Sequence, residues 1–445
     1  MAPQKDILKV VSSTWMLLSK RFRRMGRRQR PQAEQSPPRG RVTLPVQDLP
    51  FEILTMIIIH LLQPTFSLYR AIQVIINLRS SPATRSLTSN RDVLNACMVN
   101  QSWYLAGKHV LYFRVVLHDL PQMKNFDELL RQKPALCAHV HELVFLDDLA
   151  SFPDSASEPF RLAIISACPQ LQDISFHITS AFAPEPNASE RLIPISPSVD
   201  SVLVTGLRRY PTVLFFANPN NLRVLTLYEV SLDVSTISVL PNELHHLYSL
   251  SIIGSRLTTP SYQNVCESLQ NIHSLRVLQL VDFYIRLLTP EEGLDPASIT
   301  FACPENIERF SFINNTVTQP LDVPGISIMR ARISRYPNTL RELQISVIHI
   351  SLSIELPPML ACLVLFFDWT PFPYTPDINA IRMYLEQNLT TVARPAFKAV
   401  TMVLDPNERW QKPQEEDTQE LQLLLSLCER CSLSLTVVPL KGTCL

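Results

Sequence analysis

Few residue combinations in this chain have the types and spacing of a reaction centre. Cys428-x-x-Cys431 has the spacing of a metal-ligand pair, but no second CxxC or HxxxH completes a set of four ligands. His139-x-His141 and His245-His246 stand at the starts of expected strands, where surface or capping roles are commoner than proton transfer. Glu415, Glu416, Asp417 and Glu420 form an acidic run suited to the start of a helix, whose dipole favours negative charge there. Phe366, Phe367, Asp368, Trp369, Phe372 and Tyr374 follow one expected strand. Such an aromatic loop either binds a partner or packs on its neighbour. HExxH, GxSxG and the kinase HRD and DFG signatures are missing. Only 8 glycines stand against 36 prolines, with neither GxGxxG nor GxxxxGK followed by Ser or Thr. Loops that cradle phosphate need glycine where backbone meets ligand, so nucleotide enzymes built on them are excluded. The expectation is a non-enzyme without cofactor or metal.

The elements that would position any site announce themselves by a recurring pattern: apolar, two residues, apolar, one residue, apolar. It reads Val140-x-x-Leu143-x-Phe145, Leu171-x-x-Ile174-x-Phe176, Leu222-x-x-Leu225-x-Leu227, Leu247-x-x-Leu250-x-Ile252 and Leu275-x-x-Leu278-x-Leu280. It continues as Ile307-x-x-Phe310-x-Phe312, Leu340-x-x-Leu343-x-Ile345, Leu360-x-x-Leu363-x-Leu365 and Phe397-x-x-Val400-x-Met402. Most central positions lie 25 to 33 residues apart. Each unit is one short strand and a return segment that cannot bury its apolar face alone, so units must stack. Helical returns are expected over 158–168, 260–271, 326–336, 377–389 and 415–430, with SLSLTVVP as a closing strand. The Asn that usually follows the strand in regular leucine-rich repeats is mostly missing, although Asn314 and Asn315 lie near that place. The ladder of buried polar side chains is therefore expected to be incomplete. FAPEPNASERLIPISPSVD, within the wide interval from Ile174 to Leu225, reads as an exposed loop. The expected body, residues 118–445, is an irregular leucine-rich-repeat solenoid; an α/β domain with crossover helices is the competing arrangement.

Charge separates the front of the chain from the rest. Residues 1–41 hold eleven Lys/Arg against Asp6 and Glu34, a net +9, leaving −9 elsewhere in a chain of zero formal charge. Residues 1–44 read as a basic disordered tail. Nucleic acid is expected to meet the tail non-specifically and not the acidic body. No apolar run approaches the ~20 residues of a membrane span. The stretch ILKVVSSTWMLL is short and carries Lys9, so no secretory h-region is read and the 9 cysteines are expected reduced, in cytoplasm and/or nucleus.

Residues 45–117 read as a helical module. Leu54, Ile57, Ile58 and Leu61 fall on one helix face, and Asp92 is a candidate N-cap for a helix carrying Leu94, Cys97 and Met98. The stretch Leu49-Pro50-x-Glu52-Ile53-Leu54-x-x-Ile57-Ile58-x-x-Leu61, with Val99-x-x-Ser102-Trp103 later, resembles an F-box. Ala106, Leu111-Tyr112, Val115-x-Leu117 and a helix at 122–132 continue the likeness to fungal-type F-box proteins that run into degenerate leucine-rich repeats. The resemblance implies an α/β (α+β overall) protein: a three-helix F-box-like module docking on the Skp adaptor of a cullin–RING ubiquitin ligase, followed by a solenoid that binds a target protein. It implies adaptor contacts from Leu49, Pro50, Ile53, Leu54, Ile57, Leu61, Leu94, Val99 and Trp103, with Trp103 the main anchor and Ile58 and Val99 serving the module's own core. Pro50 and Trp103 are 53 residues apart. F-boxes close that distance in roughly half, so residues 64–90 form an insertion that bears on adaptor binding. The alternative is a repeat scaffold that binds protein partners without the adaptor.

Overall fold

The computed structural model describes residues 54, 97–99, 101–148, 158–179, 189–206, 212–217, 220–259, 262–287, 300–320, 326–329, 332–367, 378–391, 396–404 and 415–439. The expected tail (1–44) and insertion (64–90) lie outside them. The chain divides into two compact units. The smaller includes Leu54, Cys97–Val99 and Gln101–Leu111; the larger runs from Tyr112.

In the smaller unit, helix α1 (Gln101–Leu111) buries Trp103, Ala106 and Val110, spaced i, i+3, i+7 on one face. Leu54 is helical and buried. Gly107 lies against Cys97: a Cβ added there would overlap the Cys97 Sγ. The glycine is thus set by close approach of two segments rather than by backbone conformation.

The larger unit is mixed α/β around a large parallel sheet. Its twelve strands, numbered through the whole chain, are β1 (Arg114–Leu117), β2 (Glu142–Asp148), β3 (Asp173–Thr179), β5 (Ser201–Thr205), β7 (Val224–Tyr228), β9 (Ser249–Ile253), β11 (Val277–Val281), β14 (Arg309–Ile313), β18 (Glu342–Ser346), β19 (Cys362–Phe367), β20 (Ala399–Leu404) and β21 (Ser434–Pro439). They pair in that order, all parallel. The register is unbroken. Val115, Leu143, Ile174, Val202, Leu225, Leu250, Leu278, Phe310, Leu343, Leu363, Val400 and Leu435 form one row across the sheet. Each of the nine central positions of the recurring motif stands in that row. Period-2 alternation turns the row into one continuous core under the sheet.

Backbone bonds lock the turns together just before each strand. The carbonyls of His141, Gln172, Asp200, Arg223, Tyr248, Arg276, Glu308 and Arg341 each accept two successive N–H groups of the following strand's start. Just after the strands, Gly206, Glu229, Gly254, Asp282 and Asn314 each adopt positive φ at the fourth position past the central residue. This left-handed residue bends the chain into a second sheet. That sheet comprises β4 (Ser189–Pro194), β6 (Thr212–Ala217), β8 (Ser231–Asp233), β10 (Arg256–Thr259), β12 (Tyr284–Leu287), β15 (Thr316–Pro320) and β16 (Ile326–Met329), parallel except for the last pair. A two-stranded sheet joins β13 (Thr300–Ala302) to β17 (Arg332–Arg335).

Helices α2 (Leu120–Gln132), α3 (Glu158–Ala167), α4 (Val234–Glu243), α5 (Tyr262–Gln270), α6 (Ile378–Thr391) and α7 (Glu415–Arg430) form the returns. Three expectations change here. Within the expected helix at 326–336, the described residues Ile326–Met329 and Arg332–Arg335 are strands β16 and β17. Ile326, Met329 and Ile333 fit a helical period, but the Ile326/Ile328 alternation fits a strand equally, and pairing with β15 decides. The Pro/Ser-rich stretch ending at Asp200 is not wholly a loop: it contains β4, and Ile195 and Val199 are buried. Val199-x-x-Val202-x-Val204 is a further motif copy, and β5 fills the interval between β3 and β7. Residues 182–188 lie outside the described chain. Likewise, Val115-x-Leu117, read with the helical module, is the first strand of the sheet.

Candidate functional site

Two surfaces stand out, one on each unit. On the smaller unit, Trp103 of α1 is only 3% exposed, while its sequence neighbours Tyr104 (53%) and Leu105 (47%) face solvent. Met98 (86%) and Val99 (47%) are exposed just before the helix. Four large apolar side chains thus lie open within eight residues. The buried i, i+3, i+7 stripe of Trp103, Ala106 and Val110 is the face α1 turns to the core, and Tyr104 and Leu105 lie off it. Among the residues expected to meet an adaptor, Leu54 and Trp103 are buried and Val99 is exposed. Val99 was expected as an adaptor contact, with a place in the module's own core as the alternative; it precedes the helix and is exposed. Leu49, Pro50, Ile53, Ile57, Ile58, Leu61 and Leu94 lie outside the described residues. Met98, Tyr104 and Leu105 were missed. For Tyr104 and Leu105 the signal was the phase of α1, which puts them off the face that 103, 106 and 110 define; Met98 precedes that helix and carried no such signal.

On the larger unit, the face of the large sheet opposite the core carries polar and apolar rows. At its start, Arg114 Nε lies 3.0 Å from Glu142 Oε1. Burial raises the Glu142 carboxyl above its ordinary value, and Asp173 adds to the rise while Arg114 opposes it. Asp173 is also raised, by burial first, although a Ser201 hydrogen bond and Arg114 pull it down. His177 Nδ1 is 2.9 Å from Thr205 Oγ1, both buried. Burial, helped by the charge of Arg114, lowers the imidazole to about 4. His177 is therefore neutral near pH 7 and unlike a base poised for proton transfer.

Further along, Ser251 Oγ donates to Gln279 Oε1 at 2.8 Å and Ser311 Oγ to Gln344 Oε1 at 3.2 Å. Arg309 pairs with Glu342 at 3.5 Å. Beside this strip, Tyr228, Ile253, Val281, Ile313, Val364, Phe366 and Val403 form a second apolar cluster, separate from the main core. Ser251, Ser311 and the apolar cluster are themselves buried, so they tie neighbouring strands together; the one described hydroxyl–imidazole contact on this face, Thr205 with His177, is buried and its imidazole is lowered.

The remaining sequence candidates fall in ordinary places. Cys428 is buried on α7, its thiol raised to about 11 by burial. His141 stacks on Phe113 at 4.7 Å. His245 and His246 are exposed. Glu420 bonds Arg382 at 2.9 Å. Phe366 and Phe367 are buried on opposite faces of the sheet, whereas Asp368, Trp369, Phe372 and Tyr374 lie outside the described residues. Among the described residues, no group of three His, Cys, Asp or Glu side chains is placed to hold a metal ion. No described helix is long and apolar enough to cross a membrane.

No protein-family model matches this sequence, and no curated protein does. The geometry of the two surfaces therefore carries the functional argument alone.

Proposed function

We propose that the chain is a substrate-receptor subunit of a cullin–RING ubiquitin ligase. Its F-box-like helical module docks on the Skp adaptor, and its body, read as an irregular leucine-rich-repeat solenoid, holds a target protein. The observation that carries this reading is the Met98, Val99, Tyr104 and Leu105 cluster, which lies within the segment bearing the F-box-like Val99-x-x-Ser102-Trp103. A small helical module that leaves adjacent large apolar side chains in water has a surface suited to a partner. In-register motif copies stacked into one long sheet give the body an extended surface of the kind that suits a protein target. Other subunits transfer the ubiquitin, so the receptor needs no catalytic residue.

The test is capture of the purified full chain by purified Skp adaptor. Tyr104→Ala combined with Leu105→Asp is expected to abolish capture while leaving the circular dichroism spectrum unchanged, because both positions are exposed. A folded wild-type chain that ignores the adaptor would replace this reading with the adaptor-independent scaffold.

A further inference from the structure

The last strand of the large sheet differs from the eleven before it. Residue two past the central position is fully buried in the preceding turns: Leu280, Phe312, Ile345, Leu365 and Met402. In β21 the equivalent residue, Val437, is 41% exposed, and Leu435 is half-buried. The reason is positional: among the described residues β21 pairs only with β20. Its backbone orientation is fixed by the Ser434 N–H, which bonds the Lys398 carbonyl at 2.9 Å. Successive strand residues alternate sides, so Leu435 and Val437 aim their N–H and C=O groups at the open edge.

The helix above this strand is open on the same side. Glu420 and Arg430 of α7 bond Arg382 and Glu386 of α6, which turns that flank of α7 to the preceding turn. Leu421 and Leu425 lie on the opposite flank, and Leu425 is exposed. Folded proteins usually guard such an edge with charge, a bulge or an early proline. β21 contains no charged residue, and its one proline, Pro439, is its last residue, outside the central Leu435–Val437 stretch.

We propose that this edge is the interface between two copies of the chain, joined β21 to β21 about a two-fold axis at Thr436. An antiparallel pairing centred there places Leu435 opposite Val437 of the other copy, and the reverse. Those are the residues whose N–H and C=O groups face outward, so each pair exchanges two N–H···O=C bonds. Their side chains share one face of the sheet, so apolar meets apolar beside Leu425 and Leu421. The strand is thus complementary to itself in both backbone and side chains. A two-fold contact also closes, whereas adding β21 to the β1 edge of another copy would generate an open filament.

The experiment is sedimentation equilibrium of the full chain over a wide concentration range, beside Val437→Lys and Val437→Pro. Neither substitution disturbs a bond within the chain: the Val437 side chain is exposed and its N–H faces the edge. The wild type is expected to reach the dimer mass, and both variants, with unchanged circular dichroism and with unchanged urea midpoints at concentrations too low for dimer, to dimerise at least about tenfold more weakly. A wild type that stays monomeric throughout, or a dimer indifferent to both variants, overturns the proposal. If the monomer instead takes up an extended peptide that both variants refuse, the edge belongs to a partner's strand.

Discussion

Asn315 Oδ1 lies 3.0 Å from the backbone nitrogen of Phe283 in the preceding turn and accepts its N–H. The same amide donates through Nδ2 to the Leu280 carbonyl at 3.0 Å, and its own backbone N–H is accepted by His349 Nε2 of the following turn at 3.0 Å. One buried residue thereby joins three successive turns, its side chain bonding the preceding turn and its backbone N–H the following one. Ser255 performs a shorter version two turns earlier, accepting the Val230 N–H at 3.1 Å.

Asn315→Leu is expected to destabilise the fold by roughly 1–3 kcal/mol for each buried backbone group it leaves unsatisfied. Asn315→Asp accepts from Phe283 but cannot donate to Leu280, so it should fall between Leu and wild type. Urea denaturation measures the order, and equal stabilities for the three proteins would contradict this role of the amide.

The parallel sheet was readable because its signal is a strict positional one. Leu143, Leu225 and Leu278 recur within the same short frame, and register follows once each strand must bury that residue. The second sheet escaped because its strands are only three or four residues long in places, too short for an alternating pattern to stand out around buried residues such as Leu232, Leu257 or Ile285. Those residues do recur seven positions after the central one, a signal present but unused. Helix α4 escaped for a different reason: its Pro241 and Ser/Thr-rich start look unlike a helix, although Asp233 caps it by accepting the Ser235 N–H at 2.9 Å. On the module, the motif pointed to Trp103, while exposure distinguishes the neighbouring Tyr104 and Leu105. Sequence spacing places a residue near a surface but does not fix the phase that decides which of two neighbours is buried.

That phase makes opposite demands on adjacent residues. Trp103→Ala removes a buried ring and is expected to cost about 3–5 kcal/mol, melting the helical module. Tyr104→Ala is expected to change stability by no more than ~0.5 kcal/mol. Amide hydrogen exchange across α1 separates the two: loss of protection in the Tyr104 variant would show that the ring is part of the core.

Gly107 and Cys97 offer a sharper probe of the module's packing. Gly107→Ala drives a methyl onto the Cys97 sulfur and is expected to lower stability by about 1–3 kcal/mol, despite alanine's better helix propensity. Adding Cys97→Ala removes the obstructing atom, so the double variant should recover part of the loss. Strict additivity in the cycle would mean that the two positions do not touch.

The His177–Thr205 pair gives the body a dependence on pH whose sign follows from burial. The imidazole is lowered to about 4 in the folded chain, against an ordinary value near ~6.5 when unfolded. Between those values the unfolded chain binds the proton more readily, so the contribution of His177 is complete above the unfolded value and is lost as pH falls toward 4. The slope is at most ~1.4 kcal/mol per pH unit. Glu142 and Asp173 act in the opposite sense, since their folded values are raised and protonation in acid favours the fold. Total stability therefore mixes opposing effects, and the informative quantity is the difference between wild type and His177→Asn, which removes the titrating ring alone. The stability advantage of wild type over this variant is expected to shrink steadily from pH 6.5 to 4, read from urea midpoints at each pH. A constant difference across that interval would mean that His177 is not held neutral by its burial.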